Sequence, residues 1–300
     1  RVFCLSRGLG DVYKRQILPY IASGFLLLAS SCTDEQSGIP VASGTPLTII
    51  AEIGTSASPS STDRLGDAAS ANDYDLSKFR TGDQISVTCT RNSALLASSG
   101  YTLNAAGNWK APAGSELGFL PAVMYRASFP VGYDGIQASQ EKKADFLKSN
   151  YLRTPEVPVS GAEVKFAGDN AFNHENAKLT LKFTGVNTLP VFSRMTVQAI
   201  GLRTGSSTAT ESINMLRPVD SEYIWCAVIY PRAKNTEISI TITDAYGLTY
   251  KATVKCGMAK GTSYTYTLNL QNNILVPVGQ AEIKDWTVSS RHNGDFDPSI

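Results

Sequence analysis

From residue 172 onward the chain is a run of short segments, "AKLTLKFTGV", "RMTVQAIGL", "YIWCAVIYP", "EISITITD", "YKATVKC" and "SYTYTLNL", closed by "EIKDWTV" at 282–288. Most put an apolar residue at every second position, the period of a strand with one face in a core and one in water. "DAYG" (244–247) joins two of them as a tight hairpin turn. No helical period separates the segments. The pattern therefore predicts an antiparallel sandwich and argues against a parallel sheet with crossover helices.

The first half carries the same signal more sparsely. "PLTIIAEI" (46–53) is the first strand, with Leu47, Ile49, Ala51 and Ile53 on one face. "QISVTCT" (84–90) sets Ile85, Val87 and Cys89 on one face, and "YTLNAAGNWKAP" reads as strand, turn and aromatic strand end. "SQEKKADFLKSNYL" (139–152) is the one helical or irregular polar segment. The prolines and Gly161 of "TPEVPVSGAEVKF" suit a sheet edge and a crossing between domains. Three hundred residues, 42% of them apolar, can fill two cores. The expectation is an all-β chain with an N-terminal sandwich over 46–168 and a C-terminal one over 169–300.

The N-terminus reads as an address. Residues 17–31 and Cys32, "ILPYIASGFLLLASSC", form an apolar run too short to span a bilayer comfortably, ending in small residues before a cysteine. This is the shape of a lipoprotein signal, in which Cys32 becomes the acylated first residue; a plain signal peptide is the alternative. Residues 32–45 follow as a polar tether. "SRGLGDVYKRQ" (6–16) fits neither a signal peptide nor a phosphate loop, since it lacks the lysine and strand–helix context of the latter. Its codons can be written as a transposase-type sequencing adapter, so residues 1–16 read as translated adapter, with a truncated signal beginning at Ile17.

Charge and chemistry exclude more than they offer. Residues 1–31 hold four basic side chains and one acid, leaving 23 basic against 25 acidic in the remainder, so no basic field points to nucleic acid. The two histidines, His174 and His292, build no zinc site, and no GxSxG, HExxH or GxxxxGK[ST] motif occurs. Asp67, Asp73 and Asp75 in the long loop do not follow a calcium-loop pattern, and His174–Glu175 reads as a domain-entry turn rather than a catalytic pair. Neither an enzyme nor a metal or cofactor is expected. Cys89, Cys226 and Cys256 remain after Cys4 and Cys32 are set aside. Cys226 and Cys256 are either a pair or, the favoured reading, buried thiols. Trp109, Trp225 and Trp286 with the tyrosines of "SYTYTLNL" offer either a sugar-stacking platform or, more in keeping with alternating strands, core pairs.

Four stretches together resemble the fimbrillins, the lipoprotein-derived pilus subunits of Bacteroides-type bacteria. They are the lipoprotein signal with "LTIIAEI" and the arginine-bearing "TDRLGD"; "FRTGDQISV", with Phe79 where the family has tryptophan; "FNHENAKLTLKF"; and "GTSYTYTLNLQNNILVPVGQAEIKDWTV". Ala29 in place of the usual leucine, and the acidic "TDEQSG" after Cys32, are similar to such signals for the outer leaflet of the outer membrane. The resemblance implies two transthyretin-like β-sandwich domains and a lipid-anchored precursor at the cell surface. It implies cleavage by an arginine-specific surface protease, here after Arg64, with Arg80 a weaker candidate. It further implies loss of the first strand (Leu47, Ile49, Ala51, Ile53) and its replacement by a strand from another pilin subunit. The short stretch after Trp286 leaves tip, accessory or anchor roles open beside the shaft. A competing expectation is a surface lipoprotein that keeps its lipid and first strand and binds a host or glycan ligand.

Overall fold

The structure, a computed structural model, describes residues 44–54, 76, 78–185, 189–219 and 221–286, without the side chains of 233–235, 256, 284 and 285. The first half contains β1 (Thr48–Ala51), β2 (Gln84–Arg91), β3 (Ala94–Leu103), β4 (Trp109–Lys110), β5 (Met124–Phe129), helix α1 (Lys143–Ser149), β6 (Leu152–Arg153), β7 (Val157–Pro158) and β8 (Glu163–Phe166). The second half contains β9 (Asn173–His174), β10 (Ala177–Gly185), β11 (Phe192–Ile200), β12 (Thr210–Asn214), β13 (Ile224–Ile229), β14 (Arg232–Asp244), β15 (Thr249–Met258), β16 (Thr262–Gln271) and β17 (Ile274–Asp285). Among the described residues the chain is all-β apart from α1 and a single turn of 3-10 helix, and its sheets make a β-sandwich fold.

The first half forms one sheet, β4-β3-β2-β5-β6, which β9 of the second half extends and to which β7 adds on β5, and β1 pairs with β8 alone. Alternation decides which way each strand faces: Ile85, Val87 and Cys89 of β2 are all buried, as expected. The hairpin between β2 and β3 turns on Asn92 and Ser93, both at positive φ (51° and 66°), the conformation of a two-residue turn whose twist matches the strands. In the second half the sheets β13-β10-β16-β17 and β12-β11-β14-β15 bury their facing side chains in one cluster, among them Leu179, Leu181, Val197, Ile240 and Leu268. A second cluster, including Ile49, Val87, Tyr125, Phe166 and Phe172, fills the first half.

The structure departs from the sequence expectation in two places. Two strand pairs are parallel, β1 with β8 and β10 with β16. A parallel neighbour needs a long connection, not a helical one, and the chain between β10 and β16 travels through the whole opposite sheet before returning. The closing segment at 282–285 is no separate strand but the end of β17. Its register against β16 shifts where Thr265 faces Glu282 and Thr267 faces Val278, with Gly279 at φ +67° inside the bulge.

Cys226 lies opposite Thr180 in its sheet, buried. Cys256 is in the other sheet, opposite Thr236.

Candidate functional site

Leu47, Ile49 and Ile53 are buried in the first cluster, and Ala51 packs against it half-buried. The strand they belong to is gripped along its length by three separate segments. Leu47 N–H donates to Leu117 O and Phe119 N–H donates to Thr45 O, both at 2.9 Å. Thr48 N–H then donates to Ala162 O at 2.8 Å and Glu52 N–H to Phe166 O at 2.9 Å, framing the parallel ladder with β8. At the far end Phe172 N–H donates to Glu52 O, and Gly54 N–H to Phe172 O. A side chain at Gly44 would place its Cβ 2.5 Å from Phe119 O, so close an approach admits only glycine at the entry.

The surroundings of this strand are aromatic. The Phe172 ring lies 6.1 Å from Phe166 and 5.1 Å from Phe79, and Phe79 meets Trp109 edge-to-face at 5.1 Å. The turn after Phe79 explains its "RTGD" sequence. Asp83 Oδ2 accepts Arg80 N–H at 2.7 Å, Asp83 N–H donates back to Arg80 O, and Gly82 takes φ +95°. Burial pushes the Asp83 carboxyl above its usual range, and the Arg80 amide and charge pull it back in part. Arg80 thus sits inside a hydrogen-bonded turn, which makes it a poor protease site. Cys32 and Arg64 lie outside the described residues, as do Asp67, Asp73 and Asp75.

The passage from the first cluster to the second is a buried polar knot. His174 Nδ1 pairs with Asn150 Oδ1 at 2.7 Å, and its ring stacks on Trp286 at 4.2 Å. Asn176 Nδ2 donates to Ser149 O at 2.8 Å, and Trp286 N–H to Gly261 O at 2.8 Å. Glu175 is taken by Arg153 and Lys260 at 3.6 and 3.4 Å. These contacts make His174 and Glu175 parts of a joint rather than a proton-transfer pair. The same burial removes the tryptophan platform: Trp109, Trp225 and Trp286 are all core residues. Among the described residues no cluster of His, Cys, Asp or Glu is fit to hold a metal ion.

What the β1 site can do is hold an extended strand. It presents backbone donors and acceptors from three segments together with apolar pockets at alternate positions, and no nucleophile or proton-transfer group is needed for that. Sequence reading located the strand but not its partners. Leu117, Phe119 and Phe172 are distant in sequence, and nothing local marks them as one cradle.

The sequence pattern of the fimbrillin-like family matches residues 70–286, well over half of the chain. The chain belongs to the fimbrillin-like family. Membership makes it a pilus-related or adhesion subunit of the cell surface rather than an enzyme. Solved structures share the fold of this fimbrillin-like chain. A proposed cell adhesion protein of Bacteroides ovatus aligns at 15% identity and TM-score 0.59, over 83% of this chain and 100% of its own. Another from Bacteroides uniformis aligns at 14% identity and TM-score 0.54, over 69% of this chain and 93% of its own. No curated protein matches the chain significantly.

Proposed function

We propose that this fimbrillin-like chain is a structural or accessory pilus subunit, exported as a lipoprotein on Cys32 and assembled by strand exchange. Proteolysis after Arg64 frees residues 44–54 together with the lipid, and a strand from another pilin subunit occupies the vacated cradle. Residues 46–168 and 169–300 act as the two domains, the first receiving the strand. The observation that carries the reading is the seat of β1. Residues 47–53, with β1 at their centre, bury the three aliphatic side chains Leu47, Ile49 and Ile53 against β8, 117–119 and Phe172. Each contributes about 2 kcal/mol of burial. Loss of the strand would leave those apolar pockets and a row of backbone groups without partners, a site that strand addition satisfies.

Mass spectrometry of the native protein's N-terminus tests this directly: mature subunits begin at Leu65, and the precursor at lipidated Cys32. An Arg64→Ala variant should remain lipidated and monomeric. If Arg64→Ala protein still matures and polymerises, the cleavage assignment is wrong. A chain that keeps Cys32 for life would instead be a membrane-anchored adhesin.

A further inference from the structure

Resting on the reading of the β1 cradle as the seat of an exchangeable strand, we infer that this seat is coupled through residues 172–176 to the far end of β17. A filled seat braces that end and an empty one loosens it. The run is short, and its residues are committed to different parts of the molecule. Phe172 is tied to β1: its N–H donates to Glu52 O at 2.9 Å, and its carbonyl accepts Gly54 N–H at 2.8 Å. Asn173 and His174 form β9 and pair with Arg153 and Leu152 of β6. The His174 ring stacks on Trp286, at the end of β17, with centroids 4.2 Å apart and planes 12° from parallel. Glu175 N–H donates to Tyr151 O at 2.8 Å, and Asn176 O accepts Gly261 N–H at 2.8 Å. Gly261 O in turn accepts the backbone N–H of Trp286.

The energetics favour passing a disturbance along this run over absorbing it at Phe172. Phe172 is fully buried, its ring set between Phe79 and Phe166. With no strand in the seat, the N–H and C=O that β1 satisfies would both lie unpaired in the interior, and buried backbone groups are costly to leave so. The segment must shift to pair them, and it has little slack: Ala171 is buried on one side, and on the other β9 pairs directly with β6. A shift at Phe172 therefore draws on His174, and with it on the 2.7 Å contact to Asn150 and the stack on Trp286.

The two ends of the run lie in different cores. Leu47, Ile49, Ile53 and Phe172 belong to the first hydrophobic cluster, whereas Trp286 belongs to the second. A strand entering the seat thus fills the apolar pockets and also re-pairs Phe172, which steadies the joint. Linkage makes the effect reciprocal: whatever holds or releases the end of β17 changes the hold of the seat on its strand by the same factor.

Hydrogen exchange on the full, uncut chain tests the coupling in both directions. Ile49→Ala, which weakens the grip on β1, should speed exchange of the Phe172 and Gly54 amides. It should also speed the Gly261 and Trp286 amides by about fivefold or more, and leave those of β14 unchanged. Ile49→Val should give the same pattern at smaller amplitude. Conversely, Trp286→Phe, which keeps a ring but trims the stack, should speed exchange at Glu52 and Gly54 by a comparable factor. Ile240→Val, in the same cluster as Trp286 but on β14, should leave Glu52 and Gly54 at the wild-type rate. The inference is overturned if both Ile49 variants speed exchange only in β1, β8 and Phe172, or if Trp286→Phe leaves Glu52 and Gly54 unchanged. It is equally overturned if Ile240→Val opens β1 as much as Trp286→Phe does, because the effect would then be a loss of global stability. The chain is uncut throughout, so these outcomes are distinct from failure of the cleavage or strand-exchange proposals.

Discussion

The side-chain amide of Gln140 pairs with the backbone of Val228 as a neighbouring strand would, accepting its N–H and donating to its C=O, each at 2.8 Å. Gln140 is fully buried, and it closes an edge position of β13 that Leu216 covers two residues away. Edge backbone left in the interior without partners is costly. Gln140→Ala is therefore expected to destabilise the protein by about 2 kcal/mol, read as a lower midpoint in urea unfolding. Gln140→Glu should cost at least as much, because a carboxylate cannot donate to Val228 O.

The β1 cradle makes a prediction about register. Ile49→Ala should cost about 2–4 kcal/mol in the intact precursor, seen by hydrogen exchange as faster opening of β8 than in the wild type. In protein cleaved to begin at Leu65, a synthetic peptide of residues 44–54 should raise the melting temperature. A peptide of the same composition with its alternation scrambled should not. Equal stabilisation by both peptides would mean that the pockets for Leu47, Ile49 and Ile53 do not select the strand.

Asp244 gives the hairpin an acid limit. Burial alone would push its carboxyl up, but hydrogen bonds from Leu248 N–H, the Tyr250 hydroxyl and Tyr246 N–H hold it below the usual carboxylate range. A carboxyl depressed in the folded state stabilises the fold above its unfolded value of about 3.9, and that contribution is lost as pH falls through the folded-state value. Asp244→Asn should therefore lower the melting temperature at pH 7. The gap between variant and wild type should close progressively below about pH 4. A gap that stays constant from pH 7 to pH 2 would show that the charge contributes nothing.

Trp286 anchors the end of β17 to the joint between the two clusters through the stack of its ring on His174 and through its backbone N–H to Gly261 O. Trp286→Ala should cost about 3–5 kcal/mol in chemical unfolding, the range for an emptied tryptophan site. His174→Ala should cost less. Combining the two should cost less than the sum of the separate effects, because the rings contact one another.

The strands of the second half are legible because alternation is a local property, set by which side chains can face a core at a period of two. Phe79 is marked by its motif, and His174 by the domain-entry turn to which it belongs. The turns at Asn92–Ser93 and Asn272–Asn273 are marked only by their asparagines; both asparagines of the second turn have positive φ (49° and 63°). Gln140 gave no signal, since a glutamine in a polar segment reads the same whether solvated or standing in for a strand. Tyr246 is legible in the sequence only as a turn residue, because exposure depends on what the rest of the chain leaves uncovered.

The sequence by itself determined that this is an all-β fimbrillin-like chain whose first strand is apolar on one face and followed by a long stretch of small and polar residues. Those are statements about composition and period, which each segment carries alone. Tertiary structure decided that β1 runs parallel to β8 and is held by residues 117–119 and Phe172 as well. It also decided that two segments distant in sequence, Val191 and Phe192 on one side and Arg217 and Glu222 on the other, line one cavity. The physical reason is common to both. A backbone hydrogen bond or a cavity wall belongs to a pair of segments, and side-chain alternation says which way a strand faces without saying what lies beside it.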